Sequence, residues 1–251
     1  MKPTRPPQGA QAALRAVRLL KLFTNERPEM SLAEISRASG LNKTTTHRLL
    51  RALQSESLID RNPATSAYSL GAGLMALGVQ ALASSDLRRR VRPVLRTLAR
   101  ETGETATLEV PFEDSMLILD EVAGNHVIGA AGNIGTRWPI HATSTGKAWL
   151  AFDEAGIERL ASELKALTGS TLTDRDALKP QLAEIRRRGY AITVDEVEDG
   201  FTAVATIIRG VLGDVQGALS IGGPTQRLTS SRRAELGATL WRAAQRLSPE
   251  F

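Results

Sequence analysis

The sequence predicts an α+β protein in two parts. A small helical module closed by a two-strand hairpin comes first, and a larger domain with one mostly antiparallel sheet flanked by helices follows. Three observations predict this. Residues 31–68, SLAEISRASGLNKTTTHRLLRALQSESLIDRNPATSAY, read as helix, glycine turn, helix and hairpin. Positive charge gathers at the same end of the chain: residues 1–70 hold 11 Lys/Arg against 5 Asp/Glu, a net of +6, while residues 71–251 hold 21 against 22, a net of −1. Beyond Gly103, apolar residues alternate at period two, give way to helical spacing, and alternate again.

At 251 residues, with 42% hydrophobic and 24% charged, the chain has the composition of a soluble globular protein of one or two domains. It has no cysteine, which excludes disulfides, thiolate metal sites and cysteine nucleophiles. No apolar run is long enough to cross a bilayer. The start, MKPTRPPQGAQ, is basic and Pro-rich but lacks the apolar core of a signal peptide, so a cytoplasmic protein with no membrane partner is expected.

Residues 1–10 read as a flexible arm. A helix is expected from Gln11 to about Thr24, with Leu14, Val17 and Leu20 on its apolar side and Leu19 and Phe23 beside them. Ser31 and Glu34 form the S-x-x-E capping box of a helix starting at Leu32, with Leu32, Ile35 and Ala38 facing inward. Gly40 supplies the turn and Asn42 the next N-cap. In the second helix Thr46, Leu49, Leu50 and Leu53 mark the buried face. The opposite face carries Lys43, Thr44, Thr45, Arg48 and Arg51, with His47 at its edge. Three threonines in a row are poor helix formers, and they stand at the end of a recognition helix that reaches base edges. A face of donors on a basic module is the footprint of double-stranded DNA binding, set against the plainer reading of a solvated face. Residues 58–61 and 67–70 around Asn62–Ser66 form the hairpin, a wing from which Arg61 reaches a flanking phosphate or the minor groove. The module at 11–70 is thus a winged helix-turn-helix.

Residues 71–85 read as a linker helix with almost no charge, Leu70, Leu74, Leu77 and Leu82 lying along one side, to be covered by a second copy or by the following domain. From Asp86 to Arg100 an amphipathic helix follows, with Leu87, Val91, Val94, Leu95 and Leu98 on one side and Arg88, Arg89, Arg90, Arg92 and Arg96 on the other. Pro93 should kink or break it. Strands are expected at 105–110, 115–122, 126–131, 190–194, 201–209 and 215–222, and helices at 144–152, 153–167, 174–188 and 229–247.

The most specific stretch is Gly135-Thr-Arg-Trp-Pro-Ile-His-Ala-Thr-Ser-Thr-Gly-Lys-Ala-Trp-Leu-Ala151. It resembles the P-[LM]-H-A-x-x-x-G-K-A-x-L-A signature of the isocitrate lyase regulator (IclR) family of bacterial transcription factors. Arg188-Gly189-Tyr190-Ala191 with Asp195-Glu196 and Gly200, and Ala218-Leu-Ser-Ile-Gly-Gly-Pro224, match further parts of the same pattern. The resemblance covers residues 11 to 248. It implies that residues 86–251 form a GAF/PAS-like effector-binding domain with a six-stranded sheet. It also implies a homodimer or tetramer on a palindromic operator, controlled by a small organic or aromatic acid, with no cofactor.

The resemblance also implies a ligand site. Ser144 and Thr145, at a helix start, would offer backbone N–H groups to a carboxylate. Val127, Ala130 and Trp138 would form an apolar wall, and Thr193, Ala203, Ser220 and Gly222 take the remaining positions. Where the family often has Asp, Cys and a second Ser, this chain has Thr193, Ala203 and Gly222. A more apolar and roomier pocket is therefore expected, suited to an aromatic or larger acid.

Two other classes are weighed against a ligand-controlled regulator. An enzyme would have to use His141, Lys147, Asp195, Glu196 and Ser220, yet the chain carries no G-x-S-x-G, Walker A, G-x-G-x-x-G or zinc-binding His spacing. No catalytic or metal-binding residue is therefore assigned. A purely architectural DNA-binding protein would have a second domain without a cavity.

Overall fold

A computed structural model of the chain describes residues 10–24, 26–126, 134–153, 156–161 and 163–248. The chain divides into two compact units, Met1–Ser84 and Ser85–Phe251.

The first unit begins with α1 (Gln11–Leu20), which stops four residues short of the expected end. Its inner line runs through Ala16, Leu19 and Leu20, so Val17, expected inside, is 51% exposed. Phe23 still enters the core from the turn after the helix. β1 (Glu29–Met30) precedes α2 (Leu32–Ser39). The capping box is closed in both directions: Glu34 N donates to Ser31 Oγ at 3.3 Å, and Ser31 N donates to Glu34 Oε2 at 2.8 Å. Ile35 is buried as expected, but Ala38 is exposed, and Ser36 turns inward instead, donating to the Leu41 carbonyl at 2.6 Å. That hydrogen bond lets a polar residue occupy the inner position. Gly40 ends α2 at φ +68°, a left-handed conformation that favours glycine.

α3 (Lys43–Ser55) is capped by Asn42, whose Oδ1 accepts from Thr45 N at 2.8 Å. Thr46, Leu49, Leu50 and Leu53 are its buried residues, and Thr46 Oγ1 is satisfied by the Asn42 carbonyl at 3.0 Å. β2 (Ile59–Arg61) and β3 (Tyr68–Leu70) form the hairpin, and β1 adds to β3, giving a three-stranded order β1-β3-β2. Two residues are too short for β1 to show a period in the sequence. α4 (Ala72–Ser84) follows; it has no charged residue and no buried one.

The second unit opens with α5 (Asp86–Thr102), one helix that runs through Pro93. Both Pro93 and Arg89, whose carbonyl the proline leaves without its helical partner, are exposed, so water can take that carbonyl. The arginine face is largely acid-paired: Arg88 and Arg92 hold Asp120, and Arg89 and Arg90 hold Asp86. β4 (Thr105–Phe112), β5 (Ser115–Val122) and β6 (Arg137–Pro139) form one half of the sheet. The strand expected at 126–131 falls mostly outside the described residues, and His126 itself is not in a strand. α6 (Ser144–Phe152) matches its expected span, but the helix expected over 153–167 is only the four-residue α7 (Gly156–Arg159). α8 (Arg175–Arg188), β7 (Ala191–Val194), β8 (Phe201–Arg209), β9 (Val215–Pro224) and α9 (Ser230–Leu247) complete the unit.

The six strands lie in the order β6-β5-β4-β9-β8-β7, every pair antiparallel. Strand alternation sorts their residues between two layers. Leu108, Val204, Ile208, Leu219 and Ile221 pack with α5 and α9 through Val91, Leu95, Leu236 and Leu240. Met116, Ala205, Ile207 and Ala218 pack on the other face with α6 and α8 through Ala148, Leu150, Leu182 and Ile185.

α6 approaches the chain before it closely enough to require a glycine. A Cβ on Gly146 would stand 1.9 Å from the Ile140 carbonyl oxygen. Gly146→Ala should therefore cost about 1–3 kcal/mol, the range for forced overpacking, measured as a lower midpoint in urea. An unchanged midpoint would show that α6 can shift freely at its first turn.

Candidate functional site

On the first unit, the inner residues of α3 fix which face is left outside. Lys43, Thr44, His47, Arg48 and Arg51 are exposed, and Thr45 is half-buried because its N–H closes the Asn42 cap. The outer face is thus made of side chains that can donate hydrogen bonds, with no acidic residue in the helix. Arg61, on the wing, is exposed and lies over the Tyr68 ring at 5.8 Å, which steadies the guanidinium without covering it. The seven residues expected to meet DNA therefore belong to α3 and the wing of one unit.

On the second unit, the α6/α8 side of the sheet encloses a cavity of about 320 Å³. Its floor follows strand parity: Thr105, Thr107 and Glu109 of β4, Ser220 and Gly222 of β9, Ala203 of β8 and Thr193 of β7. Trp138 of β6 closes one side, and Ser144 and Thr145 of α6 form the roof. The loop Val197–Gly200 with Phe201 closes the other side. Seven of the nine residues expected from the resemblance thus line one cavity; Val127 and Ala130 lie outside the described residues.

The loop is shaped by Asp195, a non-glycine residue at φ +57°. Its Oδ1 accepts from Gly200 N at 3.0 Å and from Thr225 Oγ1 at 2.7 Å, which offsets the left-handed conformation. Next to it, Glu196 grips the buried Lys147 ammonium at 2.5 and 2.6 Å, and Gln181 accepts from the same ammonium at 2.8 Å. His141 Nε2 donates to the Lys165 carbonyl at 3.0 Å. Four of the five residues an enzyme would need are therefore engaged in holding the cavity's frame or neighbouring chain, and only Ser220 lines the cavity.

The cavity differs from the apolar one expected. Glu109, 6% exposed, accepts from Thr107 Oγ1 at 2.8 Å and from Thr145 Oγ1 at 2.7 Å, which sets a protein carboxylate at the first turn of α6. Glu121 also lines it, because the β4–β5 register shifts at Leu108/Glu109. The shift pairs Ile118 with Glu109 and Glu121 with Thr107, on the cavity side, and sends Asp120 to the α5 side with Leu108. Regular alternation from Ile118 would have done the reverse. Burial pushes the Glu109 carboxyl above its usual range, opposed by its two hydroxyl donors. Burial, then the nearby Glu109 and Asp120, push Glu121 up to about 7. Nor is the room at Gly222 free: a Cβ there would lie 2.7 Å from Phe201 Cζ, because that ring covers the glycine. The sequence did carry one signal of Glu109, the polar run Thr105, Thr107, Glu109 at period two in a strand otherwise apolar.

Family models match both units: the "IclR helix-turn-helix domain" over residues 12–63, and "Bacterial transcriptional regulator IclR C-terminal" over residues 79–249. The HTH-type transcriptional regulator XynR of Escherichia coli is 33% identical over 241 residues, covering 95% of this chain and 96% of that protein. A putative transcriptional regulator from Silicibacter sp. has a solved structure with a TM-score of 0.84 at 29% identity, covering 94% of each chain. A homologue from Microbacterium hydrocarbonoxydans, solved with 4-hydroxybenzoate, has a TM-score of 0.77 at 27% identity, covering 94% of this chain and 96% of that one.

The raised carboxyls fix a sign for the pH dependence of stability. Folded Glu121 holds its proton to about 7, whereas the unfolded group releases it near its ordinary 4.5. Between those values the folded chain binds more protons, so stability falls as pH rises, and Glu109 acts in the same direction. The melting temperature of the free protein should drop from about pH 5 to about pH 7.5, and Glu121→Gln should flatten the drop. A profile identical in the variant would remove Glu121 as its cause.

Proposed function

Since the chain belongs to the IclR family of bacterial transcriptional regulators, we propose that it binds a palindromic operator through α3 and the wing, and that a small molecule in the second-unit cavity sets its affinity for that DNA. The observation that carries the DNA reading is the outer face of α3, an exposed row of donors on a helix whose opposite side is locked into a core by Thr46, Leu49, Leu50 and Leu53. Thr44, Thr45, His47 and Arg48, in the N-terminal half of α3, are assigned to base edges; Lys43, Arg51 and Arg61 are assigned to phosphates.

A palindrome needs two copies. α4 supports that reading: thirteen residues without a charge, with Met75, Leu77 and Val79 all more than half exposed. A second copy of α4 is the partner that would cover them, and the dimer is the smallest assembly that meets two half-sites; pairing of dimers would give a tetramer. Ligand control requires the cavity's occupant to bind the DNA-competent and incompetent arrangements with different affinity. DNA as partner implies a cytoplasmic protein, and among the described residues no helix is long and apolar enough to cross a membrane.

The cavity favours this reading over a ligand-free architectural role, for which the second unit would need no such space. Its volume suits a molecule of about one ring. Support for an organic or aromatic acid, the class implied by the sequence, comes from the Microbacterium relative, whose structure holds 4-hydroxybenzoate. A second reading of the ligand's charge is favoured by the four acids, Glu109, Glu121, Glu198 and Asp199, and the lack of any base among the described lining residues.

Two variants separate the two halves of the proposal. Arg48→Ala should weaken binding to the chain's own upstream DNA by about 1–3 kcal/mol and relax the footprint at one position per half-site. Unchanged affinity and footprint would remove Arg48 from base reading. Thr193→Phe, which fills the cavity from β7, should leave operator affinity in place and abolish the response to any ligand found in a thermal-shift screen. Loss of DNA binding in a variant that still melts cooperatively would show that Thr193 serves the fold and not the ligand.

A further inference from the structure

The cavity's chemistry can be read one step further, given the reading that it is the control site. Its described lining brings four carboxylates from three places: Glu109 from β4, Glu121 from β5, and Glu198 and Asp199 from the loop before β8. No Lys, Arg or His is among them. Cations on the elements that pack against the sheet are committed elsewhere. Lys147 of α6 is held by Glu196, and Arg88 and Arg92 of α5 hold Asp120 on the other side of the sheet. Among the described residues Glu109 has two hydroxyl donors but no cation, and Glu121 Oε2 is enclosed without a hydrogen-bond partner. Two aromatic rings, Trp138 and Phe201, face the same space.

We propose that the cavity selects a ligand bearing a cationic amine, with the ammonium placed between Glu109 and Glu121 and the apolar body against Trp138 and Phe201. Carboxyls enclosed without a cation keep their protons, an ammonium offsets the cost of ionising them, and aromatic faces add to its attraction. An anionic acid meets the opposite: the first turn of α6, where its carboxylate would sit, already faces Glu109 through the Thr145 hydroxyl. Glu109 and Glu121 are thereby specificity-determining residues.

Matched probes test this on the full chain. 4-Hydroxybenzylamine and 4-hydroxybenzoate share a ring and differ in the charge of one substituent, and 4-hydroxybenzyl alcohol is the neutral control. Calorimetric titration at neutral pH should show the amine binding at least about tenfold tighter than the acid, with the alcohol between them. Amine affinity should rise from about pH 6 to about pH 8 as Glu121 ionises, and acid affinity should fall. Glu109→Gln keeps the shape, its oxygen accepting from one threonine hydroxyl while its NH2 donates to the other, so it should fold and narrow the amine-to-acid ratio several-fold, as should Glu121→Gln. An acid that binds as tightly as the amine, a ratio unmoved in both variants, or no amine binding at millimolar concentration overturns the proposal. Failure of the control-site reading looks different: no small molecule of either charge would alter operator affinity in the thermal-shift hits. Hits that are all acids would sink the amine and leave that reading standing.

Discussion

Lys147 sits on α6 with no exposed surface, and its ammonium is shared between both oxygens of Glu196 and the amide of Gln181. Burial lowers its pKa, and Glu196 acts to raise it. An unpaired ammonium there would cost several kcal/mol, so α6, α8 and the 195–200 loop must be held within reach of one another. The Thr171 hydroxyl, donating to the Glu196 carbonyl at 2.6 Å, and the Asp195 carboxylate, spanning Gly200 and Thr225, fix the same loop from both sides. The helix that roofs the cavity and the loop that walls it are thus tied together behind it. The open space between sheet and helix follows from that tie, which keeps the roof from settling onto the floor.

The two units use charge in opposite ways. On α3 and the wing, cations stand in water, where salt screens them and long polyanions can reach them. In the cavity, Glu109 stands away from water, where a unit of charge acts over a short range with much greater force. A chain with a net charge of +5 thereby carries exposed cations on one unit and acids around a cavity in the other.

How much of this was legible in the sequence depended on how local each signal was. The capping box at Ser31 and Glu34, the left-handed Gly40 and the Asn42 cap are set within a few residues, and all three stand where the pattern put them. Long, mostly apolar strands, such as 201–209, were placed to the residue. The failures were of two kinds. Weak helical periodicity over 153–167 did not survive as more than α7, and β6, three residues ending in proline, gave no period to read. For the cavity, the seven described positions carried by the resemblance line one space, but its charge did not show. Whether Asp120 or Glu121 faces inward is decided by a register shift against β4, a pairing between distant segments that neither segment states alone. Glu109 became a neighbour of α6 only through the fold, 36 residues away in sequence from Thr145.

The contact between Phe201 and Gly222 has an evolutionary corollary. The ring, as it lies, and any side chain at 222 claim the same volume, with only 2.7 Å between Phe201 Cζ and the place a Cβ would take. The two positions are therefore free to change together but constrained when they change singly. A mutation at 222 would reshape the cavity by turning a ring that belongs to another strand, and its effect would depend on which residue stands at 201. Among descendants of this chain, new cavity shapes would be inherited as matched pairs of substitutions, and a survey that scored each position separately would miss them.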